Sequence, residues 1–408
     1  MVTAPQRILL HDYSGHPFQV QLARELARRG HEVRHLFSAA VQTPRGALEK
    51  RPGDAPGFSV APIDPGEPLP KYSYLRRVLH ERRYGGLLRA ALAGFKPDVV
   101  LFSNTPPDAM AAPARWCRAH EVPYFFWLQD IYAEAIARIV GARLGPLAWP
   151  VAWHYRRLEA GLLRGAAGVV AITDDFKPLL AKWGVAPDRV AVIENWAPLD
   201  ELPPRPHDNE FARAHDLVDK TVFVYSGTLG LKHNPALLSG LAERLKDRDD
   251  CRVVVVSEGM GADFLAREKA LKGLDNLVLL PFQPFARVPD VLGSADVVIA
   301  ILEPDAGVFS VPSKVLTYHC AGRALLAAMP AENLATRLIA REQTGLVVDP
   351  HDQEAFLHAA QRLLDDRAGR EQMGVRARAY AETAFDIGAI GERFEALMQK
   401  PANRLASR

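Results

Sequence analysis

Cysteine is scarce in this chain: Cys117, Cys251 and Cys320 are the only three in 408 residues, far apart and in no metal-ligand spacing. A sparse, odd set excludes a disulfide framework and a zinc cluster. The three read as small buried hydrophobes in a reducing compartment. Long apolar runs are lacking too. No segment reaches the ~18 uninterrupted apolar residues of a membrane span. The N-terminal "MVTAPQRILLHDYSG" has only "ILL" before His11 and Asp12, too little for a signal peptide. A cytoplasmic protein is expected. Nor is there an excess of charge of one sign: 50 Lys+Arg against 48 Asp+Glu leave a net charge of +2. That excludes a strongly cationic nucleic-acid binder and leaves local basic patches open.

What is present is a globular composition, 48% hydrophobic and 24% charged, in a chain long enough for two domains of about 150–200 residues. Short apolar runs alternate with helical patterns. "RILLHD" leads into "FQVQLARELARRGHEV", where Val20, Leu22, Leu26 and Ala27 share a face and Gly30 ends the helix. "DVVLFSN", "YFFWLQD", "GVVAITDDF" and "VAVIENW" complete a first half. The proline-rich "APLDELPPRPHDNEF" (197–211) reads as an interdomain linker. Alternation then restarts with "TVFVYSGTLG", "CRVVVVSEG", "NLVLLPF", "DVVIAILEP", "ALLAAMP" and "TGLVVDP". Near-continuous apolar strands between helices predict parallel sheets covered on both faces. The expectation is an α/β chain of two doubly wound, Rossmann-like domains facing across a cleft. They would span 1–198 and 199–385, with 386–408 a helix and frayed tail packing back on the first. Ligands of such sheets sit outside the carboxyl ends of the strands.

Several loops at those ends carry chemistry. "YSGTLGLKHNP" (225–235) offers amides and hydroxyls at Ser226, Gly227 and Thr228 and a cation at Lys232, a grouping phosphate oxygens favour. It is not a Walker A loop. "VVVVSEGMGADF" has Phe264 where a dinucleotide fingerprint needs a third small residue, which weakens an oxidoreductase reading. Ser257 and Glu258 cap that strand. In "VFSVPSKVLTYHCAG", Pro312 suits an early helix position and Gly322 the position just past its end. With Ser310 as N-cap, the amides near Val311, Ser313 and Lys314 would form an anion site. One helix end contributes only about 0.3–2 kcal/mol, so "SGTLGLK" is the natural second contributor. "DRD" at 247–249 matches a metal-binding Asp-x-Asp by spelling, but it precedes its strand and reads as a solvated turn. No metal site is assigned. Basic and aromatic residues cluster in "KYSYLRRVLHERRYGGLLRAAL" and "WPVAWHYRRLEAGLLRG". They suit an anionic membrane surface as well as a solvated helix face. His11 and His154 read as structural or solvated.

Taken together and in order, "SGHPFQVQLARELARRGHEV", "WLQDIY", "GVVAITDDF", "VIENWAP", "YSGTLGLKHNP", "LPF" and "VPSKVLTYHCAGRALLA" give the chain a resemblance to the GT-B glycosyltransferases of family 4, over nearly its whole length. The resemblance is strongest to the bacterial polysaccharide and O-antigen branch. It implies a retaining transferase that takes a nucleotide-diphosphate sugar as co-substrate, with no other cofactor. The acceptor would be a glycan or a polyprenyl-diphosphate-linked saccharide at the inner face of the membrane. Ser226, Gly227, Thr228 and Lys232 would meet the diphosphate, and Ser257 and Glu258 the nucleotide. The loop at Phe282 would hold the base, and Gly15 would approach from the first domain. Lys232, Lys314 and Asp130 carry the catalytic expectation, with His16 and Gln129 on the acceptor side. Gln129 stands where many relatives have His. Phe309 and Thr317 occupy the positions of the family's paired glutamates, leaving Glu303 or Asp305 as substitutes, and Thr228 replaces an Arg. A sugar-nucleotide 2-epimerase of the same fold and a non-catalytic nucleotide-sugar binder are the competing readings.

Overall fold

The computed structural model describes residues 4–41, 48–70, 73–230, 233–302 and 313–405. They form two compact units, Met1–Asn195 with Ile387–Arg408, and Trp196–Asp386. The first holds strands β1 (Arg7–Asp12), β2 (Glu32–Ser38), β3 (Phe58–Ile63), β4 (Val99–Ser103), β5 (Tyr124–Leu128), β6 (Gly168–Ala171) and β7 (Val190–Val192). They pair in the order β3-β2-β1-β4-β5-β6-β7. The second holds β8 (Thr221–Ser226), β9 (Cys251–Val256), β10 (Leu277–Leu280), β11 (Val297–Ile301), β12 (Ala324–Ala328) and β13 (Gly345–Val348). Their order is β10-β9-β8-β11-β12-β13. Every pairing is parallel, so each unit is a doubly wound sheet.

Burial follows the strand period. In the second unit Phe223, Tyr225, Val253, Val255 and Ile299 pack on one face. Val222, Val224, Val254 and Val298 pack on the other. Successive side chains point to opposite sides, so only strands apolar at every position can be covered on both. In each sheet the order reverses beside the first strand. This opens a crevice at the carboxyl ends of β1 and β4 in one unit and of β8 and β11 in the other. Candidate residues lie at both.

Two local readings need correction. β2 and β3 were not anticipated: "EVRHLFS" carries Glu32, Arg34 and His35 and continues the preceding helical text, yet it is a paired strand. The supposed linker is not solvated, for Trp196, Leu202 and Phe211 are all buried within the second unit. The helix Ile387–Leu405 belongs to the first unit and runs against the helix Pro17–Arg28. Arg29 pairs with Glu395 at 3.2 Å, and Phe394 meets Trp127 at 4.8 Å between ring centroids. All three cysteines are buried free thiols, and burial pushes Cys117 and Cys320 up to about 12. They serve as packing groups.

Candidate functional site

At the reversal point of the second unit, β8 ends in Ser226 and the chain turns through Gly227 at φ +131°. The helix that follows β11 is described from Ser313 to Ala321, ending at Gly322 with φ +64°. Because β8 and β11 are neighbours, that helix brings Lys314 over the β8 turn. Its ammonium donates to the Tyr225 hydroxyl at 2.6 Å and sits 4.0 Å from the ring centroid. A Cβ on Gly227 would meet Lys314 Nζ at 3.4 Å. That is ordinary van der Waals contact, so it is the φ of +131° that calls for glycine here.

Two tyrosines brace this contact. Tyr225 in turn donates to the Thr228 carbonyl at 2.6 Å. Tyr318, one helical turn beyond Lys314, donates to the Ser226 carbonyl at 3.0 Å and accepts from the Ser226 amide at 3.1 Å. The turn is thus fixed by the helix that carries the lysine. No carboxylate pairs with Lys314 among the described residues. Burial alone lowers its ammonium from 10.5 to about 7. A half-buried cation that has hydroxyl neighbours and no carboxylate among the described residues favours an anion beside it.

The neighbouring strand ends add to the crevice. Ser257, after β9, is buried, and its hydroxyl has no partner among the described residues. Glu258 is exposed and accepts from the Phe282 amide at 3.1 Å, tying the β9 and β10 loops together. Phe282 is exposed after β10, free to stack on a planar group. Thr228 and Ser313 are exposed, and Thr317 is half-buried on the helix. Lys232, Glu303, Ser310, Val311 and Pro312 lie outside the described residues, as do Asp305 and Phe309.

The corresponding crevice of the first unit holds a polar cluster. Asp12 ends β1, and the chain turns through Gly15 at φ +77°. The Asp12 carboxylate accepts from the Ser14 amide at 3.0 Å and from the His16 amide, and lies 3.3 Å from His16 Nδ1. Asn104, past the end of β4, places its side-chain nitrogen 3.1 Å from the same Nδ1. Burial by itself would raise Asp12, but His16 and its amide outweigh it and hold the carboxyl below its usual range. Burial likewise opposes the charged form of His16, and Asp12 overrides it, raising the imidazole. Asp130 is exposed in this unit. Desolvation nevertheless lifts its carboxyl, with His16 pulling the other way. Gln129 is buried and accepts from Asn195 at 2.6 Å. Below them His11 bonds Thr105 at 2.7 Å and Tyr84 at 2.9 Å, a structural role, and burial lowers it to about 3. His154 is exposed, and the "DRD" stretch is an exposed turn.

Sequence reading missed Asp12, Asn104, Tyr225 and Tyr318. Two had a signal. Asp12 closes the first apolar strand just before the Gly15 turn, and Tyr318 stands four after Lys314 on a helix, a spacing that puts the two on one face.

Comparison with known proteins matches each half to a family. "Glycosyl transferase 4-like domain" covers residues 16–196, and "Glycosyl transferases group 1" covers 208–380. A D-inositol 3-phosphate glycosyltransferase of Corynebacterium diphtheriae is 26% identical, over 93% of this chain and 87% of its own length. An alpha-D-kanosaminyltransferase of Streptomyces kanamyceticus is 23% identical over 59% of this chain, which spans 62% of that relative. Among solved structures, sucrose-phosphate synthase of Thermosynechococcus elongatus superposes with TM-score 0.73 at 15% identity, covering 98% of this chain and all of its own. Anabaena Alr3699/HepE in complex with UDP and glucose gives 0.68 at 15%, covering 99% and 100%. At such identity these structures speak to the fold.

Proposed function

The chain is a glycosyltransferase of the GT-B fold, and on that premise we propose that it is a retaining enzyme of cell-surface polysaccharide assembly. It would move a sugar from a nucleotide-diphosphate donor to a glycan or lipid-linked acceptor. The carrying observation is the half-buried Lys314, held against Gly227 at the reversal point of the second sheet with no carboxylate partner among the described residues. Cleavage of the anomeric C–O bond leaves negative charge on the departing diphosphate. Lys314, with Lys232 as its expected partner, neutralises that charge, assisted by the amides of the β8 turn and of the Ser313 helix end. The reading therefore needs no metal. Single preorganised donors in other enzymes contribute about 3–4 kcal/mol, so a few such groups supply much of the barrier reduction.

In this mechanism the acceptor oxygen attacks on the face the diphosphate leaves. The new C–O bond forms as the old one breaks, and the acceptor proton passes to a leaving phosphate oxygen. Ser257 and Phe282 would contact the nucleoside. Asp130, His16 and Gln129 would orient the acceptor and sugar, and Gly15 admits the donor without side-chain interference. Incubating the chain with a panel of UDP-, GDP- and dTDP-sugars and acceptors tests the reading. The product anomer should keep the donor configuration, and inversion rejects the mechanism. An isomerised donor without transfer supports an epimerase instead.

The proposed place of work is the cytoplasmic face of an anionic membrane. No helix among the described residues is long and apolar enough to cross one. Leu75 and Leu147 (each 79% exposed), Trp149 (66%) and Trp153 nevertheless present apolar side chains from the first unit. Arg157 lies over the Trp153 ring at 5.2 Å, and exposed Arg76 is nearby in sequence to Leu75. Such a surface suits contact with anionic lipid. Co-sedimentation with phosphatidylglycerol vesicles should weaken on replacing Leu147 and Trp149 with serine. Binding indifferent to both the lipid charge and these residues overturns the membrane assignment.

A further inference from the structure

The helix Tyr132–Leu144 begins two residues after Asp130 and has no cap of its own. Ile131, at the cap position, is a buried hydrophobe with no side-chain acceptor. The donors of the first turn are met from another helix instead. Glu159, on the helix Trp149–Gly165, accepts from the Tyr132 amide at 3.2 Å and from the Ala133 amide at 2.6 Å, one oxygen each. These are two of the amides that every helix start leaves without an intrahelical partner. Three residues earlier, Arg156 donates to both oxygens of Glu134 at 2.9 Å and ties the same two helices on their outer side.

Glu159 is a demanding group to keep in this place. It is fully buried, no cation pairs with it among the described residues, and Glu134 and Asp130 add like charge. Burial, the largest influence, pushes its carboxyl up to about 8, with the two amides pulling the other way. A serine or aspartate at the cap position itself would satisfy the same amides without that burden. The difference lies in what is fixed. A local cap holds the first turn to its own backbone, whereas a cap from a second helix fixes where that turn stands in the domain.

Two groups of the polar crevice depend on that turn. Asp130 leads directly into it. Tyr132 donates its hydroxyl to the Asn104 carbonyl at 3.1 Å, and Asn104, at φ +49°, sets its side-chain nitrogen 3.1 Å from His16 Nδ1. Asp130 also acts on His16, adding to the effect of Asp12 in raising the imidazole. We propose that Glu159 is a positioning residue of this crevice: by capping the helix Tyr132–Leu144 from outside, it holds Asp130 and His16 in register with each other. That these two groups serve the reaction rests on the transferase reading. Their placement by Glu159 does not.

NMR titration of His16 in the full-length protein, without any ligand, tests the placement. Asp130→Asn should lower the His16 midpoint, and the drop measures what that carboxylate contributes. Glu159→Gln keeps the volume but offers the two amides a single acceptor oxygen. It should lower the midpoint by most of that amount although Asp130 is still present, and combining the two substitutions should lower it no further. A cap with a structural role alone changes the melting temperature and leaves His16 where it was. Should Glu159→Gln fail to fold, Glu159→Asp, which withdraws both oxygens by one methylene, is expected to give the same drop. A midpoint unmoved by the Glu159 variants, no drop in Asp130→Asn, or drops that add in the double variant overturns the inference. Turnover of the sugar-nucleotide panel separates this from the transferase reading. Where the wild type turns a donor over, Glu159→Gln should lower kcat at least ~10-fold, since a misplacement of about 1 Å can cost roughly 100-fold. Its affinity for UDP should be unchanged, and an unchanged kcat overturns the inference. A wild type that turns over no donor strikes the transferase reading, and the His16 titration then decides the placement by itself.

Discussion

Lys314 gives the sharpest quantitative expectation. In the free protein burial holds its ammonium at about 7 instead of 10.5. A diphosphate placed against it supplies the missing counter-charge and returns it toward the ordinary value, so donor binding must take up a proton wherever free Lys314 is neutral. At pH 8 a group titrating near 7 is about 10% protonated, and binding draws in about 0.9 proton per nucleotide. Between pH 7 and 9 the same linkage weakens nucleoside diphosphate binding by roughly 50-fold, beyond the range where the terminal phosphate itself titrates (near 6). Calorimetry of UDP binding at pH 8, in buffers of different ionisation enthalpy, reads the proton count directly. Lys314→Met should abolish the uptake. The stability sign follows from the same direction. Lys314 is depressed in the folded state, so its cost is full below about pH 7 and is relieved as pH rises from 7 toward 10.5. Burial disfavours the charged form that dominates at pH 6, and Lys314→Met should therefore melt higher than wild type at pH 6, with a smaller gain at pH 9. Proton uptake near zero at pH 8 in the wild type refutes the reasoning.

Other outcomes follow from the same contacts. Gly227→Ala forces a side chain into a backbone region almost reserved for glycine and against Lys314. It should cost about 1–3 kcal/mol in chemical denaturation and weaken nucleotide binding as well. Tyr225→Phe removes the hydroxyl that joins Lys314 to the Thr228 carbonyl. A loss of about 1–3 kcal/mol is expected, and an unchanged midpoint counts against the bracing role. In the first unit, NMR should find His16 titrating above its ordinary 6.5, and Asp12→Asn should bring it down. The raised His16 stabilises at low pH and loses this as pH rises through its folded value. The depressed Asp12 loses its contribution as pH falls through its own. The pair therefore stabilises the unit only between those two points, and a stability profile unchanged by Asp12→Asn contradicts it.

How much of this was legible in the sequence varies with the physics of each element. β11 is apolar at every position and β8 at its four central ones, because both faces of their sheet are covered, and such runs announce themselves. The Gly227 turn and the end of the Lys314 helix at Gly322 were equally readable, since positive φ demands glycine in each case. β2 was hidden because Arg34 and His35 interrupt its apolar run, and the helix before it supplies a stronger period. The Pro-rich segment after Asn195 looked like a linker by composition, but Trp196, Leu202 and Phe211 anchor it, and three large buried side chains outweigh local turn chemistry. Tyr225 and Lys314 lie 89 residues apart, and only the adjacency of β8 and β11 joins them. No local pattern could reveal that the lysine lacks a carboxylate partner among the described residues.

The most direct measurement is a crystal structure with a nucleoside diphosphate bound. The β-phosphate should lie within about 2.7–2.9 Å of Lys314 Nζ, against the Gly227 turn. A diphosphate found instead in the polar hollow at the amino ends of these strands, lined by Arg323, Arg367 and Arg370, would contradict it.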